Sequence, residues 1–484
     1  MSAHPRGRPK TKIVCTLGPS TDSEDIIREL IKSGMNVARL NLSHGTLESH
    51  ARAIEMVRQV ARQLGEPVGI MVDVPGSKYR IGPLSPGIAE LKSGDALTLT
   101  SRDMVGNKEV MGVSPPGIHR DALVGRPVLV DDGLIELVVT GVEGEDVQCR
   151  VVVGGRVTER RGVSTPGKAP SQPFPNARSE EALRFAAEQA ADFVALSVVT
   201  EESHIHTARD MLRGFGREPQ IIAKIERAEA LESVDSILGA SDAIMVARGD
   251  MGVEVPLERV PVIQKDLIRR CNVAGKPVIT ATQMLESMVE SPVPTRAEVT
   301  DVANAVFDGT DAVMLSGETS VGKYPVQAVE MMSRVAIEAE AALPYEAIIR
   351  EKALQLQEQT ADAISYDACR TAFQIKAKVI VAFTESGVTA GRVSKYRPQP
   401  PVLALTPSED VQRQLALRWG VTPLIVEELS TVDDIFDMGE RKAVEVMGAE
   451  PGDQIVLVAG LPMGVSGGTN LLRVLTVGQS SKKD

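Results

Sequence analysis

The sequence predicts an α/β protein built on a (β/α)8 barrel, with a small β-barrel inserted into it and an open α/β sheet at its C-terminal end. Short apolar runs alternate with amphipathic helical stretches along most of the chain, and this alternation stops between about residues 75 and 160. Polar residues follow many of the apolar runs. Alternating apolar runs and helices are typical of βα units and a parallel sheet.

The barrel prediction depends on a count of strands on both sides of the interruption. Before it come the runs KIVCTLG, NVARLNLS and PVGIMVDV, with helices predicted after Thr21 and over about 48–64. After it come a helix over about 179–190 and the runs FVALSVV, QIIAKIE, AIMVARGD, PVITATQ and AVMLSGE. About eight strands result, the number that closes a β/α barrel. An open doubly wound sheet is the alternative, but it leaves the insertion and the polar strand ends unexplained.

Two further modules follow from changes in pattern. The insertion is rich in Gly, Pro and alternating Val and Leu, has no convincing helix, and contains the turn signal Asp132-Gly133, which predicts a small β-barrel or sandwich. Beyond a helix over about 325–341 and Pro344, the runs KAKVIVAFT, PVLALT, TPLIVEE and QIVLVAG predict a smaller open α/β sheet. The predicted domains are 1–73 with 161–343, 74–160, and 344–484.

Composition excludes several classes of function. The net charge is −12, from 53 Lys and Arg against 65 Asp and Glu, which disfavours nonspecific binding to nucleic acid or anionic membranes. Aromatic residues are 3% of the chain, so base-stacking platforms are not expected. Four scattered cysteines suit free thiols better than disulfides or a zinc site, and no signal-like or membrane-spanning run is present. We therefore expect a soluble, cytoplasmic protein.

The stretch 223–255 carries the charged residues from which we predict the functional site. Lys224 and Glu226 lie two residues apart, so they share one face at the end of a predicted strand, and the next strand ends in Arg248-Gly249-Asp250. A lysine and two carboxylates at neighbouring strand ends indicate a metal-and-anion site. A set of ion pairs that caps a sheet is the alternative. Other polar residues at strand ends are Asn41, Ser43, Asp73, Thr282, Ser316 and Glu318.

Several long strings together resemble the pyruvate kinase family across nearly the whole chain. They include TKIVCTLGPS (11–20), ARLNLSHG (38–45), VLVDDGLI (128–135), AGKPVITATQMLESM (274–288), PTRAEVTDVANAVFDGTDAVMLSGETSVGKYP (294–325) and GVSGGTN (464–470), besides the stretch 223–255. The resemblance implies phosphoryl transfer from phosphoenolpyruvate to ADP, giving pyruvate and ATP. A barrel lyase or aldolase acting on the pyruvate enolate, and a catalytically weak paralogue that senses metabolites, are the alternatives.

The resemblance also implies roles for matched residues. Glu226 and Asp250 match the divalent-metal ligands, and hard carboxylate oxygens suit Mg²⁺ or Mn²⁺. Lys224 matches the lysine that stabilises charge on the transferring phosphoryl group, and Arg39 matches the arginine that binds the phosphate. Gly249 and Asp250 match the turn whose N–H groups bind the substrate carboxylate.

Three matched residues concern protonation of the enolate. Thr282 matches a contact to the carboxylate that is implicated in this step, and Ser316 and Glu318 match a hydroxyl and a carboxylate in the same neighbourhood. Taken alone, Thr282 and Ser316 would be ordinary caps at strand ends. Which group gives the proton stays open.

The monovalent-cation site of the family matches Asn41, Ser43, Asp73 and the carbonyl of Val74. Lys78 lies where members that need K⁺ have Glu and members that do not need it have Lys. An ammonium there can replace the cation, so we expect activity without added K⁺.

The nucleotide side departs from the family pattern in two segments. DVPGSKYR (73–80) has Ser77 for Pro and Tyr79 for Ile, but keeps Arg80, a nucleotide-phosphate contact. In SQPFPNARS (171–179), Arg178 replaces the usual nucleotide-contacting Lys, which keeps the charge but changes the geometry. His44 matches a further nucleotide-side residue, and a capping histidine is the alternative.

An effector site is expected in the C-terminal region. Thr384, Ser386, Gly387 and Thr389 match the loop that binds a sugar phosphate in many members, and ordinary N-capping by hydroxyls is the alternative. The resemblance also suggests a homotetramer.

Overall fold

The first segment alternates strands and helices as the sequence predicts. The computed structural model describes residues 7–168, 171–428, 431–462 and 468–479. Its first elements are β1 (Lys12–Thr16), α1 (Glu24–Ser33), β2 (Met35–Asn41), α2 (Leu47–Leu64) and β3 (Gly69–Val74). Helix α1 begins after Ser23, whose side chain accepts the N–H of Ile26, whereas Thr21 belongs to a preceding 3-10 turn. All six residues of β3 are buried, as expected for a strand covered on both faces.

The insertion forms a closed β-barrel. Its elements are β4 (Tyr79–Ile81), β5 (Ile88–Leu91), β6 (Ala96–Thr100), β7 (Val110–Ser114), α3 (Ile118–Asp121), β8 (Pro127–Val130), β9 (Ile135–Glu143), β10 (Asp146–Val153), β11 (Gly155–Thr158) and β12 (Gly162–Ser164). Seven strands close in the order β10-β6-β7-β4-β12-β8-β9, and β11 pairs with β5. The four-residue helix α3 is a feature that the sequence pattern did not indicate. The predicted turn is confirmed, because Asp132 and Gly133 both have positive φ between β8 and β9.

The chain then resumes the βα alternation. Its elements are α4 (Ala177–Glu188), β13 (Phe193–Leu196), α5 (Glu202–Gly214), β14 (Gln220–Ile225), α6 (Ala228–Glu232), α7 (Val234–Ala240), β15 (Ala243–Ala247), α8 (Arg248–Glu254), α9 (Val260–Ala274), β16 (Val278–Ala281), α10 (Arg296–Asp308), β17 (Ala312–Leu315), α11 (Gly317–Ser320) and α12 (Pro325–Ala341). Eight strands form a closed barrel in the order β1-β17-β16-β15-β14-β13-β3-β2. The predicted (β/α)8 fold is therefore confirmed, and the open-sheet alternative is wrong.

The C-terminal region is an open α/β sheet. Its elements are α13 (Tyr345–Ala353), α14 (Thr360–Gln374), β18 (Val379–Phe383), α15 (Val388–Lys395), β19 (Val402–Thr406), α16 (Glu409–Leu415), β20 (Val421–Ile425), α17 (Val432–Met447), β21 (Gln454–Gly460) and β22 (Thr469–Thr476). The strand order is β20-β19-β18-β21-β22, and β22 runs antiparallel to β21. The sequence reasoning missed β22, because its segment TNLLRVLT mixes exposed and buried positions without a clean alternation.

The chain divides into two compact units. One comprises Met1–Val72, Gln189–Phe193 and Leu267–Asp484, and the other comprises Asp73–Glu188 and Val194–Asp266. They are called the first unit and the second unit. None of the described helices is long and apolar enough to cross a membrane.

Candidate active site

Lys224 is the centre of a buried polar cluster in the second unit. Strand β14 places its side chain, which is 8% exposed. Its Nζ lies 2.9 Å from Oε1 of Glu226 and 3.2 Å from Oδ1 of Asp73, and donates to Oγ of Ser197 at 2.7 Å. A buried lysine needs compensating negative charge, and here two carboxylates supply it. Sequence reasoning missed Ser197, although it follows β13 as other site residues follow their strands.

A second lysine contacts the two candidate metal ligands. The Lys78 Nζ lies 2.6 Å from Oδ1 of Asp250 and 3.3 Å from Oε2 of Glu226. Glu226 is buried, whereas the side chains of Lys78 and Asp250 are 37% and 39% exposed. The carboxylates of Glu226 and Asp250 therefore converge on one positively charged atom.

The charges of this cluster shift two pKa values in opposite directions. Burial acts to lower the pKa of Lys78, but the negative charges of Glu226 and Asp250 outweigh it and raise the pKa above its ordinary value. Burial acts to raise the pKa of Asp250, but the positive charges of Lys78 and Lys224 hold it below its ordinary value. Both ion-pair partners are therefore charged at neutral pH.

Glu226 also accepts a hydrogen bond from Val198, whose backbone is strained. Val198 has φ +58°, an unfavourable conformation for a β-branched residue, and its N–H donates to Oε2 of Glu226 at 3.2 Å. Gly76 allows this arrangement, because a Cβ at that position would lie 2.4 Å from Cγ2 of Val198. Strain at a residue that positions a site group is typical of functional sites.

The donor set fits a hard divalent cation. Glu226 and Asp250 each place one carboxylate oxygen against the Lys78 ammonium. Among the described residues, no group of three or more His, Cys, Asp or Glu side chains could hold a metal by itself. Mg²⁺ sites commonly use one or two carboxylates and complete their coordination with water and substrate phosphate. The pair therefore fits a magnesium-type site better than a zinc-type site.

The first unit contains Arg39 and a cleft beside it. Arg39 lies on β2, is buried, and donates from Nη1 to Oγ1 of Thr16 at 2.8 Å. The cleft has a volume of about 640 Å³, and its lining includes Thr16, Arg39, Asn41, His44 and Ser316. Thr16 ends β1 and was not named by the sequence reasoning. A buried guanidinium at the edge of a cleft suits recognition of an anionic group.

The predicted monovalent-cation ligands fall into both units. In the first unit, Oδ1 of Asn41 accepts the N–H of Ser43 at 3.1 Å. In the second unit, Asp73 is buried beside Lys224, and the carbonyl of Val74 accepts the N–H of Ser197 at 3.3 Å.

In the first unit, Thr282 directly follows β16, Ser316 directly follows β17, and Glu318 lies on the short helix α11. Glu318 is fully buried and accepts the N–H groups of Ser316 at 2.7 Å and Leu285 at 3.0 Å, so it fixes the loops that contain them. Oγ of Ser316 is buried and has no hydrogen-bond partner among the described residues. Thr282 follows β16 with φ +66°, and its hydroxyl donates to the carbonyl of Ala281 at 2.7 Å.

Gly249 and Asp250 occupy the first turn of α8, which begins at Arg248. The backbone N–H groups of a first helical turn have no acceptors within the helix. Strand β15 therefore ends at Ala247, three residues earlier than the sequence pattern predicted, and Gly249 and Asp250 belong to the start of a helix.

The two segments that depart from the family pattern contact each other. Nδ2 of Asn176 donates to Oγ of Ser77 at 2.6 Å. The Tyr79 hydroxyl donates to Asp121 at 2.7 Å, and Asp121 also accepts the N–H of Ser171 at 3.0 Å. The sequence placed both departures on the nucleotide side but did not indicate that hydrogen bonds join them.

The candidate nucleotide residues lie on several elements. Arg80 lies on β4 and donates to the carbonyl of Arg160 at 2.9 Å, and Arg178 is exposed near the start of α4. His44 follows β2, and its carbonyl oxygen lies 2.7 Å from Nε2 of His50.

The candidate effector loop begins α15. Gly387 caps this helix with φ +81°, and Thr389 Oγ1 lies 2.9 Å from Oγ1 of Thr469. Thr384 is buried at the end of β18, while Ser386 is exposed. In the string GVSGGTN (464–470), residues 464–467 are not among the described residues.

These features define a class of protein, namely a (β/α)8-barrel enzyme whose charged residues suit a metal ion and an anionic substrate. Comparison with known proteins narrows this class. The family model described as pyruvate kinase, barrel domain, matches residues 8–329, and the model described as pyruvate kinase, alpha/beta domain, matches residues 362–475.

Curated relatives agree with the family models. Proteins named pyruvate kinase from Staphylococcus aureus strains MRSA252, USA300 and NCTC 8325 / PS 47 are each 42% identical over 471 residues, which is 97% of this chain and 80% of each relative. The chain therefore belongs to the pyruvate kinase family, whose members are phosphotransferases that depend on a divalent metal.

Proposed function

We propose that this chain transfers the phosphoryl group of phosphoenolpyruvate to ADP, giving pyruvate and ATP, with Lys224 as the main cation at the reacting phosphoryl group. The observation that carries the proposal is the buried contact of Lys224 with Asp73, Ser197 and Glu226. These partners hold the ammonium in one place before substrate binds, and catalysis of phosphoryl transfer comes almost entirely from positioning and preorganised charge.

Glu226 and Asp250 are the proposed ligands of Mg²⁺ or Mn²⁺. Their convergence on the Lys78 ammonium supports this assignment. A bound divalent cation would neutralise negative charge on the phosphoryl oxygens, while the protein residues orient and desolvate the substrate.

The remaining substrate contacts are assigned by position. Arg39, beside the cleft of the first unit, would bind the phosphate, and the N–H groups of Gly249 and Asp250 would bind the carboxylate. Thr282 would contact the carboxylate and Ser316 would take part in protonating the enolate, since its buried hydroxyl has no hydrogen-bond partner among the described residues. Glu318 would act by holding the backbone of Ser316.

Lys78 is proposed to replace the monovalent cation that, in other members of the family, binds at the positions of Asn41, Ser43, Asp73 and Val74. Its ammonium contacts Glu226 and Asp250, and so adds a positive charge to the same cluster of charged side chains that contains Asp73. ADP would be bound by His44, Arg80 and Arg178, and the inserted β-barrel, residues 74–160, would act as a lid that excludes water.

Three further properties belong to the proposal. A phosphorylated effector would bind at Thr384, Ser386, Gly387 and Thr389, supported by the glycine-capped start of the eight-residue helix α15. A homotetramer and a cytoplasmic location are also proposed, and family membership is what supports them. A screen of sugar phosphates and nucleotides tests the effector: no change in the saturation curve for phosphoenolpyruvate would remove that part.

The central experiment is a coupled assay of pyruvate release from phosphoenolpyruvate with several nucleoside diphosphates, in Mg²⁺ or Mn²⁺. We expect release that depends on both ADP and the metal. Release without a nucleotide would favour the lyase alternative, and tight metabolite binding with near-zero turnover would favour the weak paralogue.

A further inference from the structure

An ion pair joins the neighbours of the two candidate metal ligands. Arg227 directly follows Glu226 in the chain, and Glu254 lies four residues after Asp250 on helix α8. Nη1 of Arg227 lies 3.3 Å from Oε1 of Glu254, and the two side chains are 11% and 4% exposed. Residues four apart lie on the same face of a helix, so this contact acts on the helix face that presents Asp250.

Arg227 makes two other contacts through the same guanidinium. Its Nε donates to Oε2 of Glu229 at 3.2 Å, and its Nη2 donates to the carbonyl of Lys168 at 2.8 Å. Glu229 lies on α6, and Lys168 lies in the connection between β12 and α4. One buried planar group therefore fixes three segments, which a lysine cannot reproduce because its ammonium is a single point charge.

The geometry of these contacts bears on metal affinity. A two-carboxylate site binds a cation well only when the carboxylates keep a fixed separation, and groups that hold the ligands contribute strongly to affinity. The Arg227–Glu254 pair joins the segment that contains Glu226 to the helix that contains Asp250. The Arg227 guanidinium cannot itself coordinate a metal, because it has only hydrogen-bond donors.

We propose that Arg227 and Glu254 are positioning residues that set the separation of Glu226 and Asp250 for the divalent cation. This inference rests on the proposed function, because it takes Glu226 and Asp250 as the ligands. Neither residue was singled out by the sequence, where Arg227 is one more charge after a strand and Glu254 one more acidic residue on a short helix.

The experiment is Mn²⁺ binding to the full chain, measured by electron paramagnetic resonance without nucleotide, for Arg227→Met, Glu254→Gln and Arg227→Lys. We expect the first two to weaken Mn²⁺ binding about 10- to 100-fold, the range for partners of metal ligands, and Arg227→Lys to recover part of the loss. Thermal unfolding of each variant reports whether the fold is retained. If Arg227→Met does not fold, the isosteric Glu254→Gln still tests the same contact.

Arg209→Met is the matched control. Arg209 of α5 makes the same kind of contact, with Nη2 2.9 Å from Asp242 and 3.0 Å from the carbonyl of Ala240, but Asp242 lies before β15, at the end of the strand away from Asp250. This variant should lose stability and keep wild-type Mn²⁺ affinity. Equal losses of affinity in Arg209→Met and Arg227→Met would overturn the inference, as would unchanged affinity in both Arg227→Met and Glu254→Gln.

Two ligand variants separate this inference from the proposed function. Glu226→Gln and Asp250→Asn should each lose most Mn²⁺ binding. If they do and the Arg227 and Glu254 variants bind Mn²⁺ normally, only the positioning role fails. If Glu226→Gln and Asp250→Asn bind Mn²⁺ as the wild type does, the ligand assignment itself fails and takes the positioning role with it.

Discussion

Replacing Lys78 by Met should tighten the binding of a divalent cation. The Lys78 ammonium contacts Asp250 at 2.6 Å and Glu226 at 3.3 Å, so a cation that binds these carboxylates must displace it or share them with it. The Asp250 pair is more than a third exposed on both sides, and such pairs contribute about 1 kcal/mol or less. The Glu226 pair has one buried partner and adds a similar or somewhat larger amount. Loss of both corresponds to about 1–2 kcal/mol, or roughly 5- to 30-fold tighter binding.

The assay is the same Mn²⁺ titration, in low salt, with Lys92→Met as the control. Lys92 is an exposed lysine of the same inserted module, so the control removes one positive charge without touching the carboxylates. The effect of Lys78→Met should shrink as ionic strength rises, because salt screens exposed charges. Weaker Mn²⁺ binding in Lys78→Met, or an equal gain in Lys92→Met, would refute the reasoning.

Three further predictions concern the K⁺ dependence of the activity, the ionisation of the Tyr79 phenol, and the hydrogen bond between Ser77 and Asn176. Activity should not need K⁺: a rate that rises many-fold in K⁺ but not in Na⁺ or a bulky organic cation would contradict the role of Lys78. Burial and the hydrogen bond to Asp121 raise the pKa of Tyr79 from 10.0 to about 12. The unfolded phenol therefore ionises first, and the stability that Tyr79 contributes is present below pH 10 and lost between pH 10 and 12. Denaturant unfolding should show that the free energy of unfolding of the wild type falls relative to that of Tyr79→Phe between pH 10 and 12. If the two free energies change with pH in parallel, the pKa of Tyr79 is not raised in the folded protein. Ser77→Ala and Asn176→Ala should each cost about 1 kcal/mol and the double variant less than their sum, whereas full additivity would mean that the contact contributes nothing.

The barrel and the identity of its charged residues could be predicted because they follow from local pattern. Lys224, Glu226 and Asp250 each stand where an apolar run ends, and a parallel barrel brings such ends to one face. The spacing of two between Lys224 and Glu226 placed both on one side of the strand, and their Nζ–Oε1 contact of 2.9 Å agrees.

Other contacts could not be predicted because they join residues far apart in the chain. The Asn176–Ser77 bond spans 99 residues, and no pattern in either segment indicates the other. The position of the Lys78 ammonium depends on the path of the segment after β3 and on the rotamers of a long side chain. The Arg227–Glu254 pair depends on where the short helix α8 begins, and the boundaries of elements are the least predictable part of a sequence.

The most direct test of the proposed role of Lys224 is the rate of phosphoenolpyruvate-to-ADP transfer by Lys224→Met at saturating substrate and Mn²⁺. Lys224 is the buried cation of the cluster, and removal of one preorganised charge from a transition state costs about a hundredfold or more in rate. We predict a loss of at least that size, with Mn²⁺ binding no weaker than in the wild type, because Glu226 and Asp250 remain and one ammonium that competes for Glu226 is removed. A folded Lys224→Met protein that keeps most of the wild-type rate would contradict this role.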